Sequence, residues 1–101
     1  MITFKNGITK STLDFVLGNL QRLGEIQSLS HKRDKSKIFY ETIIKGSDDT
    51  MIISGGIGSG YSGEGPGGML KLLLELGVPE DKARAYVYDN TDTEHNFEVK
   101  F

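Results

Sequence analysis

The spacing of apolar residues changes several times along the chain, and each change marks an element. Met1-Ile2-Thr3-Phe4-Lys5 alternates apolar with polar positions, the two-residue period of a short strand, and Asn6-Gly7 closes it as a turn. Leu13, Val16, Leu17, Leu20 and Leu23 then fall on one stripe of a helix spanning residues 10–23, with Thr9 or Ser11 as N-cap and Gly24 beyond its last turn. Residues 25–30 alternate weakly as a second strand. His31 to Lys37 reads as a charged hairpin connection between that strand and Ile38–Lys45, the segment richest in β-branched and aromatic residues. Residues 46–49 form a turn, and Thr50–Ser54 returns as the antiparallel partner. A second helix starts at Pro66 and is apolar at 69, 70, 72, 73, 74 and 76 before Gly77 stops it. Residues 78–82 suggest a single helical turn. Ala85–Asp89 reads as a strand, residues 90–93 as a turn, and His95–Phe101 as a strand with Phe97, Val99 and Phe101 inward; the two strands make a C-terminal hairpin.

The pattern predicts one compact α+β domain over residues 1–101. A mostly antiparallel sheet of five or six strands carries two helices in the order β-α-β-β-β-α-β-β. The inner order α-β-β-β-α is similar to that of double-stranded RNA-binding domains, although the second helix lacks a basic cluster at its start. A net charge of −2 also disfavours nucleic acid as a partner. No apolar run approaches the roughly 18 residues that span a bilayer, and the N-terminus lacks a signal peptide's charged and apolar regions. Cysteine is absent. That excludes disulfides and thiolate chemistry and fits a reducing cytoplasm. A helix apolar nearly all round is buried on more than one side, which predicts a homo-oligomer.

The richest candidate chemistry lies in Gly55–Gly68, where eight of fourteen residues are glycine between a strand and a helix. Gly58-Ser59-Gly60-Tyr61-Ser62-Gly63 matches the letters of a dinucleotide fingerprint, but the helix starts too late for one. A phosphate-binding P-loop would end in Gly-Lys-Ser/Thr, and Gly67-Gly68-Met69 stands there instead. The physics beneath those motifs still applies: a helix N-terminus without shielding side chains offers backbone donors and a favourable dipole to an anion. On this reading Gly67 and Gly68 hold phosphate, Tyr61 packs on a ring, and Ser59 and Ser62 add hydroxyls. Glu64 caps the helix or accepts from the ligand, and Lys32, Arg33 and Lys35 add positive charge.

Asp48 and Asp49 read as turn formers rather than metal ligands. His95 reads as a strand-edge residue. No pattern of nucleophile, base or metal ligands points to an enzyme, and no cofactor is implied. Two functions follow: a non-enzymatic binder of a phosphate-bearing small molecule, such as a nucleotide or nucleotide-derived signal, that senses or sequesters it; or a protein-binding module, such as an inhibitor or immunity-type partner of an enzyme.

Overall fold

A computed structural model describes all 101 residues. Five strands form one sheet in the order β1-β4-β3-β2-β5: β1 (Ile2–Lys5), β2 (Ile26–Asp34), β3 (Phe39–Gly46), β4 (Thr50–Ser54) and β5 (Glu94–Lys100). β1 runs parallel to β4, and the other pairings are antiparallel. Three helices, α1 (Thr9–Asn19), α2 (Glu64–Glu75) and α3 (Glu80–Arg84), complete the α+β architecture. No helix is long and apolar enough to cross a membrane.

The two-residue period sorts the strands into faces. Ile2, Leu29, Ile44, Met51, Ile53 and Val99 are buried beneath Val16, Leu23, Met69, Leu72, Leu73, Ala83 and Val87. The opposite face, with Lys5, Lys32, Glu41, Lys45 and Glu98, carries no second layer. Burying one face of a sheet under helices is the standard way for a domain of this size to assemble a core.

α1 begins at Thr9, after Ile8 in extended conformation, so neither Ser11 nor Thr9 caps it. The Thr9 hydroxyl instead donates to the carbonyl of Gly56 (2.6 Å), tying the helix to the glycine segment. Beyond Asn19 the chain tightens into a 3-10 turn through Leu23. Leu13, Val16 and Leu23 of the expected stripe are buried, while Leu17 and Leu20 pack against the core partly exposed.

Two elements differ from the sequence pattern. β2 continues through Asp34, so His31, Lys32 and Arg33 belong to a strand and only residues 35–37 turn. Its inward residues are Leu29, His31 and Arg33, two of them polar, which erases the hydrophobic alternation. Residues 85–89 are a wide helical turn continuing α3 rather than a strand, so there is no C-terminal hairpin. Glu80 and Asp81 stand in the first turn of α3 and Lys82 and Arg84 in its last, which suits the helix dipole. The turn then buries Val87 and stacks Tyr86 on Phe97 at 5.1 Å, and that packing overrides the β preference of Tyr-Val-Tyr. β5 pairs with β2 instead.

Candidate functional site

The glycine segment has two parts with opposite characters, a cleft lined by residues 55–58 with Tyr61 and Gly65, and a clasp at Ser59 and Gly60. The first part lines a cleft. Gly55 donates its N–H to the Tyr40 carbonyl (2.9 Å) as β4 ends. Gly56 has φ +76°, and a Cβ there would collide with the Thr12 side chain. Ile57 turns into the core, and Gly58 lies buried between two tyrosines, its Cβ direction 3.2 Å from the Tyr61 hydroxyl and 3.5 Å from the Tyr40 ring. Gly65, in the first turn of α2, faces the same hydroxyl.

These residues leave a cleft of about 230 Å³, floored by glycine and walled by Tyr40 and Tyr61, with Gly7 and Ile38 at its mouth. The tyrosine ring centroids are 6.1 Å apart and the planes inclined by 50°. A second hollow of about 420 Å³ adjoins it, sharing Gly7, Ile38, Tyr40 and Gly55 and adding Lys5, Asn6 and Lys37. Burial, the neighbouring Tyr40 charge and a hydrogen bond with Tyr40 all raise the pKa of the Tyr61 phenol, so it stays protonated and able to donate.

Backbone donors add to this surface. From Gly56 to Gly65 only Gly60 donates its N–H to a protein acceptor, the carbonyl of Val87 (2.8 Å). Unpaired donors beside buried residues are uncommon, since each carries a desolvation cost. Ile57 and Gly58, two residues with unpaired N–H groups, are among those that line the cleft. At α2 the free donors belong to Glu64 and Gly65, because the helix starts two residues before Pro66. Gly67 already donates to the Gly63 carbonyl (3.1 Å), and Gly68 lies one residue deeper in the helix. Proline costs no hydrogen bond at this third helical position either, because it falls among the orphan donors.

The second part of the segment is a clasp. Arg33 is 3% exposed, and each nitrogen of its guanidinium donates to a protein oxygen. Nη1 donates to Ser59 Oγ (3.0 Å) and Nε to the Asp92 carbonyl (3.0 Å). Nη2 donates to the carbonyl and side-chain oxygens of Asn90 (both 2.7 Å) and to the Asp92 carbonyl (2.8 Å). Lys35 Nζ donates to the Thr91 carbonyl (2.6 Å) and to that of Gly60 (3.2 Å). Gly60, at φ +81°, lies so close to the guanidinium that any Cβ would overlap it.

The other expected site residues are dispersed. Lys32 is exposed on the open sheet face and lines a hollow of about 590 Å³ with Arg33, Asp34, Lys37, Glu94 and His95. The acids there offset the cations, so that hollow has no strong preference for an anion. Ser62 and Gly63 are exposed on the loop. Glu64 and Gly67 line a groove between α1 and α2. Gly68 is buried, and its Cβ direction ends 2.6 Å from Thr9, which makes it a point of close helix approach. Asp49 accepts from the Thr50 N–H (2.7 Å), as a turn former does.

Sequence reasoning missed Lys5, Lys37, Ile38 and Tyr40. Asp34 accepts from the Ser36 N–H (3.0 Å) and hydroxyl (2.6 Å), bonds that hold its carboxyl below the usual range and tighten the 35–37 turn. The chain leaves that turn through Ile38 at φ 51°. Left-handed backbone is costly for a β-branched residue, and Ile38 is also 83% exposed. Asp-Lys-Ser-Lys gave a turn signal, but nothing local marks the next residue as left-handed.

His31 is 1% exposed, flanked by Tyr40 and Phe97. Its Nδ1 lies 2.9 Å from the Thr42 hydroxyl, and Nε2 has no partner. Burial, with the charges of Arg33 and His95, lowers its pKa to about 4.

The molecule is thus a single-sheet α+β domain with a glycine-floored, tyrosine-walled cleft. Comparison with protein-family models, curated proteins and solved structures finds no match to the chain.

Proposed function

We propose that the protein binds a phosphate-bearing small molecule with a planar ring, of the nucleotide class, in the cleft lined by Tyr40 and Tyr61, and senses or sequesters it without chemical change. The observation that carries this reading is the pairing of two aromatic walls with a floor whose backbone donors have no protein acceptor. Aromatic faces stack on ring systems of any sequence or substitution. Glycine brings backbone donors close to a ligand, and the first turn of α2 adds a favourable dipole near Gly65. Lys5 and Lys37, at the rim of the adjoining hollow, supply the charge that a phosphate selects. They replace Lys32, Arg33 and Lys35 in that role, since two of those three spend their donors inside the fold.

Calorimetric titration with nucleoside mono- and diphosphates, and with inorganic phosphate alone, tests the proposal. Tyr61→Ala and Gly65→Ala should abolish nucleotide binding while the far-UV spectrum stays unchanged. Gly67→Ala, which points into open space away from the cleft, should bind as the parent does. A parent protein that binds none of these compounds contradicts the proposal.

A partner-protein reading draws on a different observation. Ile8, Ile38, Phe39 and Tyr61 are all exposed apolar side chains, and Ile38, Phe39 and Tyr61 border the two hollows. Apolar anchors on a polar surface are what an inhibitor inserts into its target.

A further inference from the structure

The two edges of the sheet are unlike. β1 is four residues long, too short to template much pairing. β5 is seven residues long and pairs only with β2, so one whole edge of it is free. Its hydrogen-bonding direction follows from two flanking bonds. Phe101 N–H donates to the Gln27 carbonyl (3.0 Å), and the Thr93 carbonyl accepts from Lys35 N–H (2.9 Å). Odd-numbered residues therefore direct their backbone groups toward β2, and Glu94, Asn96, Glu98 and Lys100 direct theirs outward.

We propose that this edge pairs with the β5 edge of a second copy, antiparallel and centred on Phe97, to give a ten-stranded sheet across a two-fold axis. Charge and overlap together select that register, since centring on Val99 also opposes Glu98 to Lys100 but pairs only two of the four outward residues. Centring on Phe97 puts Lys100 opposite Glu94 of the second copy, twice by symmetry, and Asn96 opposite Glu98. All four outward residues fall in hydrogen-bonded pairs. Centring on Asn96 would instead oppose Glu94 to Glu98, and centring on Glu98 would oppose that glutamate to itself. Opposed like charges destabilise a pairing, whereas opposite charges stabilise it.

The helix-side face supports the same centre. Phe97 meets its own symmetry mate at a non-hydrogen-bonded position, where cross-strand side chains approach most closely. Behind it Tyr86 is already stacked. A hollow of about 560 Å³ lies along this side of β5, lined by Tyr86, His95 and Phe97 among others, and gives the incoming side chains room. The interface is isologous, as closed dimers require. It lies two strands away from β3, which carries Tyr40, so it leaves the ligand cleft open.

Sedimentation of the purified chain, with circular dichroism to confirm folding, tests the pairing. The parent should show twice the 11.1 kDa mass of one chain. Lys100→Glu should give a folded monomer, and the swap Glu94→Lys with Lys100→Glu should restore the dimer. A parent that stays monomeric up to its solubility limit overturns the proposal. A Lys100→Glu protein that remains dimeric, or a folded swap variant that remains monomeric, overturns it equally.

Discussion

The glycine segment places two sites within a few residues of each other, built from the same residue types and put to opposite uses. Around Gly60 the cations and the Gly60 amide are already engaged: Arg33 and Lys35 together hold Ser59, Gly60 and the 90–92 loop, and no space remains for a side chain at Gly60. Around Gly58 the donors are free, the walls are aromatic, and there is a cleft. A buried cation surrounded by oxygens is a structural device, because its desolvation is already compensated and an incoming anion would have to break those bonds. Unpaired donors beside two phenol rings are what a ligand completes. The difference shows why a glycine-rich loop near a basic cluster is a weak indicator of a phosphate site: what matters is whether its donors are already spent.

Substitutions can break the contrast, and they rank by expected effect. Gly60→Ala should be the most damaging. It combines a left-handed backbone with overlap on the guanidinium, and chemical denaturation should show a loss of about 3 kcal/mol or more. Arg33→Met comes close behind, at about 2–3 kcal/mol, because it strands the Asn90 and Asp92 carbonyls. Arg33→Lys should recover only part of that loss, since an ammonium cannot span the same fork of acceptors. Both belong to the clasp and should move stability before anything else.

Acid should loosen the fold through His31. Its pKa is about 4 in the fold and near 6.5 unfolded, so the folded state disfavours its proton. The sign follows: stability is full above about pH 6.5, falls as pH drops toward 4, and levels off below that. The shift corresponds to at most about 3 kcal/mol. Denaturation midpoints measured across that window should flatten in His31→Phe.

Cleft substitutions should show the reverse pattern. Tyr61→Ala, at a partly exposed position, should cost about 1 kcal/mol of stability or less and abolish ligand binding. Ile38→Gly should be the mildest. Releasing a β-branched residue from φ 51° should stabilise the fold by about 1 kcal/mol while weakening binding, because the cleft loses part of its mouth. A variant both more stable and poorer at binding would mark Ile38 as strain kept for function.

Much of the fold was legible because periodicity and residue type agree along most of the chain. The stripe of α1, the β-branched and aromatic runs of β3 and β4, and the apolar run of α2 each point to one element and fold accordingly. The sequence misled where burial was not apolar. His31 and Arg33 are inward strand residues, and no hydrophobic pattern reveals a strand whose core positions are a histidine and an arginine. Tyr86-Val87-Tyr88 has strand chemistry but follows a well-charged helix start, and tertiary packing decides its form. For the site, Gly58 and Tyr61 were readable from composition. Tyr40 and Lys37 were not, since Tyr40 reaches the cleft only through the pairing of β3 with β4, and Lys37 reaches the adjoining hollow only through the turn before Ile38.

The most direct measurement is a nitrogen–proton correlation titration of the isotopically labelled protein with a purine nucleoside monophosphate. Saturable shifts at the amides of Gly56, Gly58 and Gly65, with those of Gly60 and Gly67 unmoved, would place the ligand in the cleft and leave the clasp intact. Shifts centred on Gly67 and Gly68, or no shift at the cleft glycines with any nucleotide tried, would contradict the division of the loop into a structural part and a binding part.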